Sequence, residues 1–159
     1  MVSSQTARNT ELYLEDLSIG QRFTSTSHLM EEADIKAFAK QFDPQPFHLD
    51  SEAAQDTFFA ALAASGWHTA AVTMRLLVEG GPPLAGGVIG AGGEITWPIP
   101  TRPGDRLHVV SEIADIVPSR SRPDRGIVIL RSETRNQRGE VAQLLITKLV
   151  VKRRPPTVE

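Results

Sequence analysis

The chain of 159 residues contains no cysteine. That absence removes disulfide bonds, thiolate metal sites and a cysteine nucleophile. Neither sign of charge is in marked excess: 17 Lys and Arg against 19 Asp and Glu leave a formal net charge of −2. Such a balance gives no general attraction to nucleic acid or to an anionic membrane. No stretch approaches the roughly 18 consecutive apolar residues of a membrane span. The opening MVSSQTARNTELYLEDL lacks the apolar core of a secretory signal and is expected to form a polar, mobile tail over residues 1–15. The four histidines lack metal-ligand spacing, so no metal site is expected. AGGVIGAGG is rich in glycine but has neither the Lys-Ser/Thr of a phosphate loop nor the spaced glycines of a dinucleotide site. It reads as a loop feeding a closely approached strand. A cytoplasmic enzyme or binding domain remains, with no nucleic-acid or membrane partner.

What is present suits one domain, over residues 16–154, large enough to bury roughly 70% of its unfolded surface. Loose alternation after a glycine predicts a first strand over Arg22–His28. EEADIKAFAKQF carries acids in its first turn and Ile35, Phe38, Ala39 and Phe42 at helical spacing, which predicts a short amphipathic helix. Asp50 stands where it would cap a second short helix over SEAAQ. From Gly66 to Glu79, GWHTAAVTMRLLVE is apolar on most sides and is predicted to be a buried helix. Four strands are predicted after it, at Val88–Trp97, Arg106–Val117, Arg125–Asn136 and Val141–Lys152, from β-branched content and alternation. NQRG predicts a hairpin between the last two. Helices followed by a run of strands give an α+β class with an antiparallel sheet, here curled around one long helix.

The stretch FDPQPFHLD, Phe42 to Asp50, places an acid and a histidine five positions apart around two prolines. Prolines 44 and 46 are expected to exclude a regular helix there. Either the loop is only a rigid turn, with His48 bonded to backbone, or it holds Asp43 and His48 in a fixed relation for chemistry. Gly66 also has two readings. Its N–H could open the buried helix and face an oxyanion, or the glycine could cap a preceding AALAA helix or permit close packing. His68 is read as a core histidine in preference to a pocket residue, and Arg120, Arg122 and Arg125 as a solvated hairpin tip in preference to a phosphate contact.

DPQPFHLDSEAA, then ASGWHT eighteen residues past the histidine, then ITWPIPTRPGDRLHV resemble in order and spacing the MaoC-like (R)-specific enoyl-CoA hydratase/dehydratase family. The resemblance extends over roughly residues 16–152 and implies the hotdog fold. Gln45 stands where that family usually has asparagine, and Phe42 where a glycine commonly precedes the aspartate. Both departures bear on substrate identity more than on reaction type. The resemblance implies that Asp43 and His48 are the catalytic pair. It implies that the Gly66 N–H, with Ser65 before it, polarises the thioester carbonyl, and that Gln45, Phe47 and His68 are candidates for the surrounding pocket. It also implies a substrate carried on coenzyme A, no metal or redox cofactor, and a homodimer or pair of dimers. A hotdog thioesterase and a non-catalytic acyl-thioester binding subunit are the alternatives, since one fold supports several roles.

Overall fold

The computed structural model describes residues 10–158. Six antiparallel strands form one sheet: β1 Arg22–Thr24, β2 His28–Leu29, β3 Gly90–Thr96, β4 Arg106–Pro118, β5 Arg125–Arg135 and β6 Val141–Lys152. The order is β1-β4-β5-β6-β3, with β2 also pairing to β4. Helices α1 Glu32–Phe42, α2 Pro46–Leu49 and α3 Gly66–Gly80 lie between β2 and β3. α3 is the long helix on which the sheet curls. The α+β, single-sheet architecture read from the sequence is the one observed.

Alternation sets the core. Leu107, Val109 and Ile113 of β4 and Val128 and Leu130 of β5 point to one face and are buried, as are Val72, Leu76 and Leu77 of α3. Each such side chain contributes about 1.5–3 kcal/mol by leaving water. β5 and β6 form the hairpin expected from NQRG, with Arg135 opposite Val141. Asn136 Oδ1 accepts the N–H groups of Arg138 and Glu140 across the turn. Gly93 in β3 has no room for a side chain, because a Cβ there would lie 2.3 Å from the Ile146 carbonyl oxygen. That is the close strand approach read from the glycine run.

Several expectations are corrected. The single first strand is split into β1 and β2, because the Ser25 hydroxyl replaces backbone in the ladder and accepts the Val109 N–H at 2.8 Å. The second proline of the 42–50 loop starts a helix instead of preventing one. Pro46 occupies the first position of α2, where no N–H is required. The segment after Asp50 is a 3₁₀ turn, Ala53–Asp56, and Asp50 Oδ1 accepts the Glu52 and Ala53 N–H groups at its start. Residues 10–15 are not a loose tail. Leu12 exchanges backbone hydrogen bonds with Pro83 and Ala85, and Leu14 is in the core; residues 1–9 lie outside the described residues.

α3 is not buried all round. Trp67, Met74 and Val78 are 60%, 42% and 64% exposed, and with the exposed Ala71 they form one stripe at helical spacing. The sheet covers the opposite face alone. No helix among the described residues is long and apolar enough to cross a membrane.

Candidate active site

The loop after α1 brings Asp43 and His48 together. His48 Nε2 lies 3.2 Å from Asp43 Oδ2. The other ring nitrogen, Nδ1, is 2.6 Å from the carbonyl oxygen of Ala63. A carbonyl only accepts, so Nδ1 carries the hydrogen and Nε2 is the nitrogen that can take or give a proton. Ala63 is fixed in turn by its N–H to Phe47 O at 3.0 Å, and its neighbour Ala64 donates to Thr101 O at 2.8 Å. The imidazole is buried, with Phe47 edge-on to it at a centroid separation of 4.5 Å. The Nδ1–H bond to Ala63 and the packing of Phe47 fix the ring plane, with Nε2 facing the Asp43 carboxylate.

Asp43 is held from two further sides. Gln45 Nε2 donates to Oδ1 at 2.5 Å. Burial pushes the carboxyl up, but hydrogen bonds from Gln45 and Ser65 and the charge of His48 outweigh it, so Asp43 sits below the ordinary value of 3.8. It is therefore an anion at neutral pH.

Ser65 and Gly66 open α3. Ser65 is fully buried, and its hydroxyl oxygen accepts the Trp67 N–H at 3.3 Å as the N-cap. Residues 57–65 contain no helix, so Gly66 caps nothing that precedes it. It is the first residue of α3, where backbone N–H groups are unpaired and the helix carries partial positive charge. Gly66, His48 and Trp97 line one apolar cavity of about 390 Å³, with Phe59, Ile99 and Thr101 among its other walls.

Gln45 and Phe47 touch the pair but neither is part of the cavity lining, and His68 is not either. His68 stacks on Phe38, with rings 4.7 Å apart and 5° from parallel, and its buried Nδ1 has no partner among the described residues. It is a core residue. Burial lowers its pKa below 6.5, the nearby Asp34 opposes this and His28 adds to it. The folded protein thus resists protonating His68 while the unfolded chain accepts a proton near 6.5. Stability is therefore complete above that pH and falls as pH drops below it. His68→Phe, which keeps the stack on Phe38, should flatten the fall of the thermal midpoint between roughly pH 7 and pH 5. An equally steep fall in the variant would contradict this account.

Two parts of the site lie in ITWPIPTRPGDRLHV, a stretch whose resemblance gave neither residue a role. Trp97 covers Gly66, and Arg102 clamps the wall-forming segment by donating to the carbonyls of Phe59, Ala61 and Leu62. Both act across more than thirty residues of chain. Arg125 pairs with its neighbour Asp124 at the exposed hairpin tip.

A sheet curled on one long helix is the hotdog fold, and here the helix start and an acid–imidazole pair meet beside an apolar cavity. The model of the MaoC like domain matches residues 16–132, and the chain belongs to that family. It is similar to a MaoC-like dehydratase from Rhodospirillum rubrum of known crystal structure, with 63% identity and a TM-score of 0.89 over 91% of this chain and 99% of that one. It is 36% identical over 128 residues to the uncharacterized protein YdeM of Bacillus subtilis, covering 79% of this chain and 88% of YdeM. It is also 33% identical over 116 residues to a 3-hydroxybutyryl-CoA dehydratase of Methylorubrum extorquens, covering 70% of this chain and 69% of that protein.

Proposed function

We propose that the protein adds water reversibly across the 2,3 double bond of a 2-enoyl-CoA to give a 3-hydroxyacyl-CoA. The observation that carries this reading is the Asp43–His48 pair, with Nε2 turned to the carboxylate and Nδ1–H committed to Ala63 O. Nε2 and the carboxylate oxygen are in direct contact at 3.2 Å, so the attacking water lies beside the pair and hydrogen-bonds to both groups. The water oxygen attacks C3 as the pair removes its proton, and negative charge develops on the thioester oxygen. The Gly66 N–H receives that oxygen. The same pair then returns the proton to C2, which conserves the atoms of water across the double bond. No metal or redox cofactor enters this scheme. Kinship with a 3-hydroxybutyryl-CoA dehydratase supports it. Incubation with crotonyl-CoA tests it: loss of conjugated absorbance without free thiol is the expected result. Release of free thiol instead would make the protein a thioesterase.

The exposed stripe of α3 and the outer edge of β3, which among the described residues pairs only with β6, are the surfaces we assign to a second copy. Apolar stripes and open strand edges both invite association. Light scattering at micromolar concentration should show a dimer or a dimer of dimers. Met74→Glu, placing a charge within the stripe, should weaken that assembly at least about tenfold. A wild-type monomer would contradict the assignment.

A further inference from the structure

In the reaction above the thioester carbonyl sits at the Gly66 N–H, and the side chain lying over Gly66 is Trp97. A Cβ built on Gly66 would be 2.6 Å from Cε2 of the indole, so the ring rests directly on the glycine. Trp67 meets the ring edge-on, with centroids 5.3 Å apart. The indole Nε1–H donates to Gln143 Oε1 at 3.0 Å.

Gln143 is a fully buried amide in a strand whose other inward residues include Ala142, Leu149 and Val151. Burying an amide is costly unless its groups are all bonded. Its carbonyl takes the indole N–H, and its Nε2 donates to Thr73 Oγ1 at 3.0 Å. Thr73 Oγ1 is in turn 2.6 Å from Thr134 Oγ1 and donates to Thr69 O at 2.8 Å. The chain of bonds runs from the helix and two strands to one atom of Trp97 and fixes the ring plane.

The cavity that this ring lines suits hydrocarbon. No Lys or Arg among the described residues lines it. Of its polar side chains, Thr69 and Thr101 bond each other at 3.0 Å, which leaves His48 to face a ligand. Phosphates or the amides of a carrier arm would find no partners among such walls, whereas an acyl chain needs none. Its volume, about 390 Å³, is near the small end of ligand pockets.

We infer that Trp97, set in place by Gln143, is the wall that limits the acyl chain, and that the protein selects short-chain 2-enoyl thioesters. This rests on the hydratase reading. Gln143 is a positioning residue, acting through the indole.

The test compares kcat/KM for crotonyl-CoA and trans-2-decenoyl-CoA. Wild type should favour crotonyl-CoA, and Trp97→Ala should lower that preference at least about tenfold, the low end of what one methylene is worth in an apolar pocket. Gln143→Met keeps the bulk of the side chain but offers the indole no carbonyl. It should move the preference the same way by less, a change of selectivity that simple loss of stability would not produce. If circular dichroism shows Trp97→Ala unfolded, Trp97→Leu carries the same comparison. An unchanged preference in the folded variant, or a wild type that handles both substrates equally, overturns the inference. Calorimetric titration with butyryl-CoA and decanoyl-CoA, which cannot be hydrated, keeps the pocket separate from the chemistry. A preference for butyryl-CoA that Trp97→Ala loses supports the wall even in a protein that turns over nothing. The same preference in both proteins, or none in wild type, overturns it.

Discussion

Asp43→Asn should hydrate a 2-enoyl-CoA at least about 10²-fold more slowly than wild type, and His48→Gln should do the same. The asparagine amide can still donate to His48 Nε2, and its carbonyl can still accept from Gln45, so the contacts at 3.2 Å and 2.5 Å survive in form. What disappears is the negative charge that, in the proposed reaction, helps take up the water's proton. His48→Gln removes the nitrogen that would return that proton to carbon in the same scheme. In the proposed reaction the two groups share one water, so their losses should not be independent. The double variant should be about as slow as the slower single one. Kinetics on purified, folded proteins check this. Near-normal turnover in either single variant would remove the pair from the mechanism, and fully additive losses would separate the two groups' roles.

The second large effect lies at Gly66. Proline at this position removes the N–H that would face the thioester oxygen in the proposed reaction, and the backbone is ready for it. Ser65 has φ −54° and ψ 138°, the extended conformation that a following proline demands, and the first helical position suits proline. The obstacle is the Cβ that any replacement brings against Trp97. Alanine therefore cannot be the mild control that a sequence alone would suggest, because it displaces the indole from Gln143 even while keeping the N–H. The comparison has to be made in a Trp97→Ala background, where both residues fit. There Gly66→Pro should turn over crotonyl-CoA about 10²–10³-fold more slowly than Gly66→Ala, the range found for one lost oxyanion donor. Circular dichroism establishes that both fold. Equal turnover in the two would show that the Gly66 N–H does not meet the developing charge.

The amino-acid sequence by itself determined the elements whose causes are local. Alternation over Arg125–Arg135 and Val141–Lys152 with a tight turn between them specified a hairpin. DPQPFH placed an acid and a histidine on a stiffened loop, and the apolar run from Gly66 placed a buried helix there, while the structure decided that Gly66 opens it. Each of these follows from φ preference, hydrogen-bonding capacity or periodicity within a few residues. The prolines were harder to read, because a missing N–H ends one helix and starts the next, and neighbouring structure decides which.

Only the tertiary structure decided what those elements meet. The state of the His48 ring depends on the Ala63 carbonyl, a backbone atom with no mark in the sequence. The indole of Trp97 lies on Gly66 and is held by Gln143, 46 positions further on, and Gln143 is held by Thr73, 70 positions back. Residue type restricts a side chain to a few rotamers, but which partner each rotamer reaches is set by how the sheet curls on α3. The same holds for the helix itself. Its apolar residues surround it in sequence, yet one curled sheet covers one face, and the stripe of Trp67, Met74 and Val78 is left outside because a single sheet cannot close around both sides.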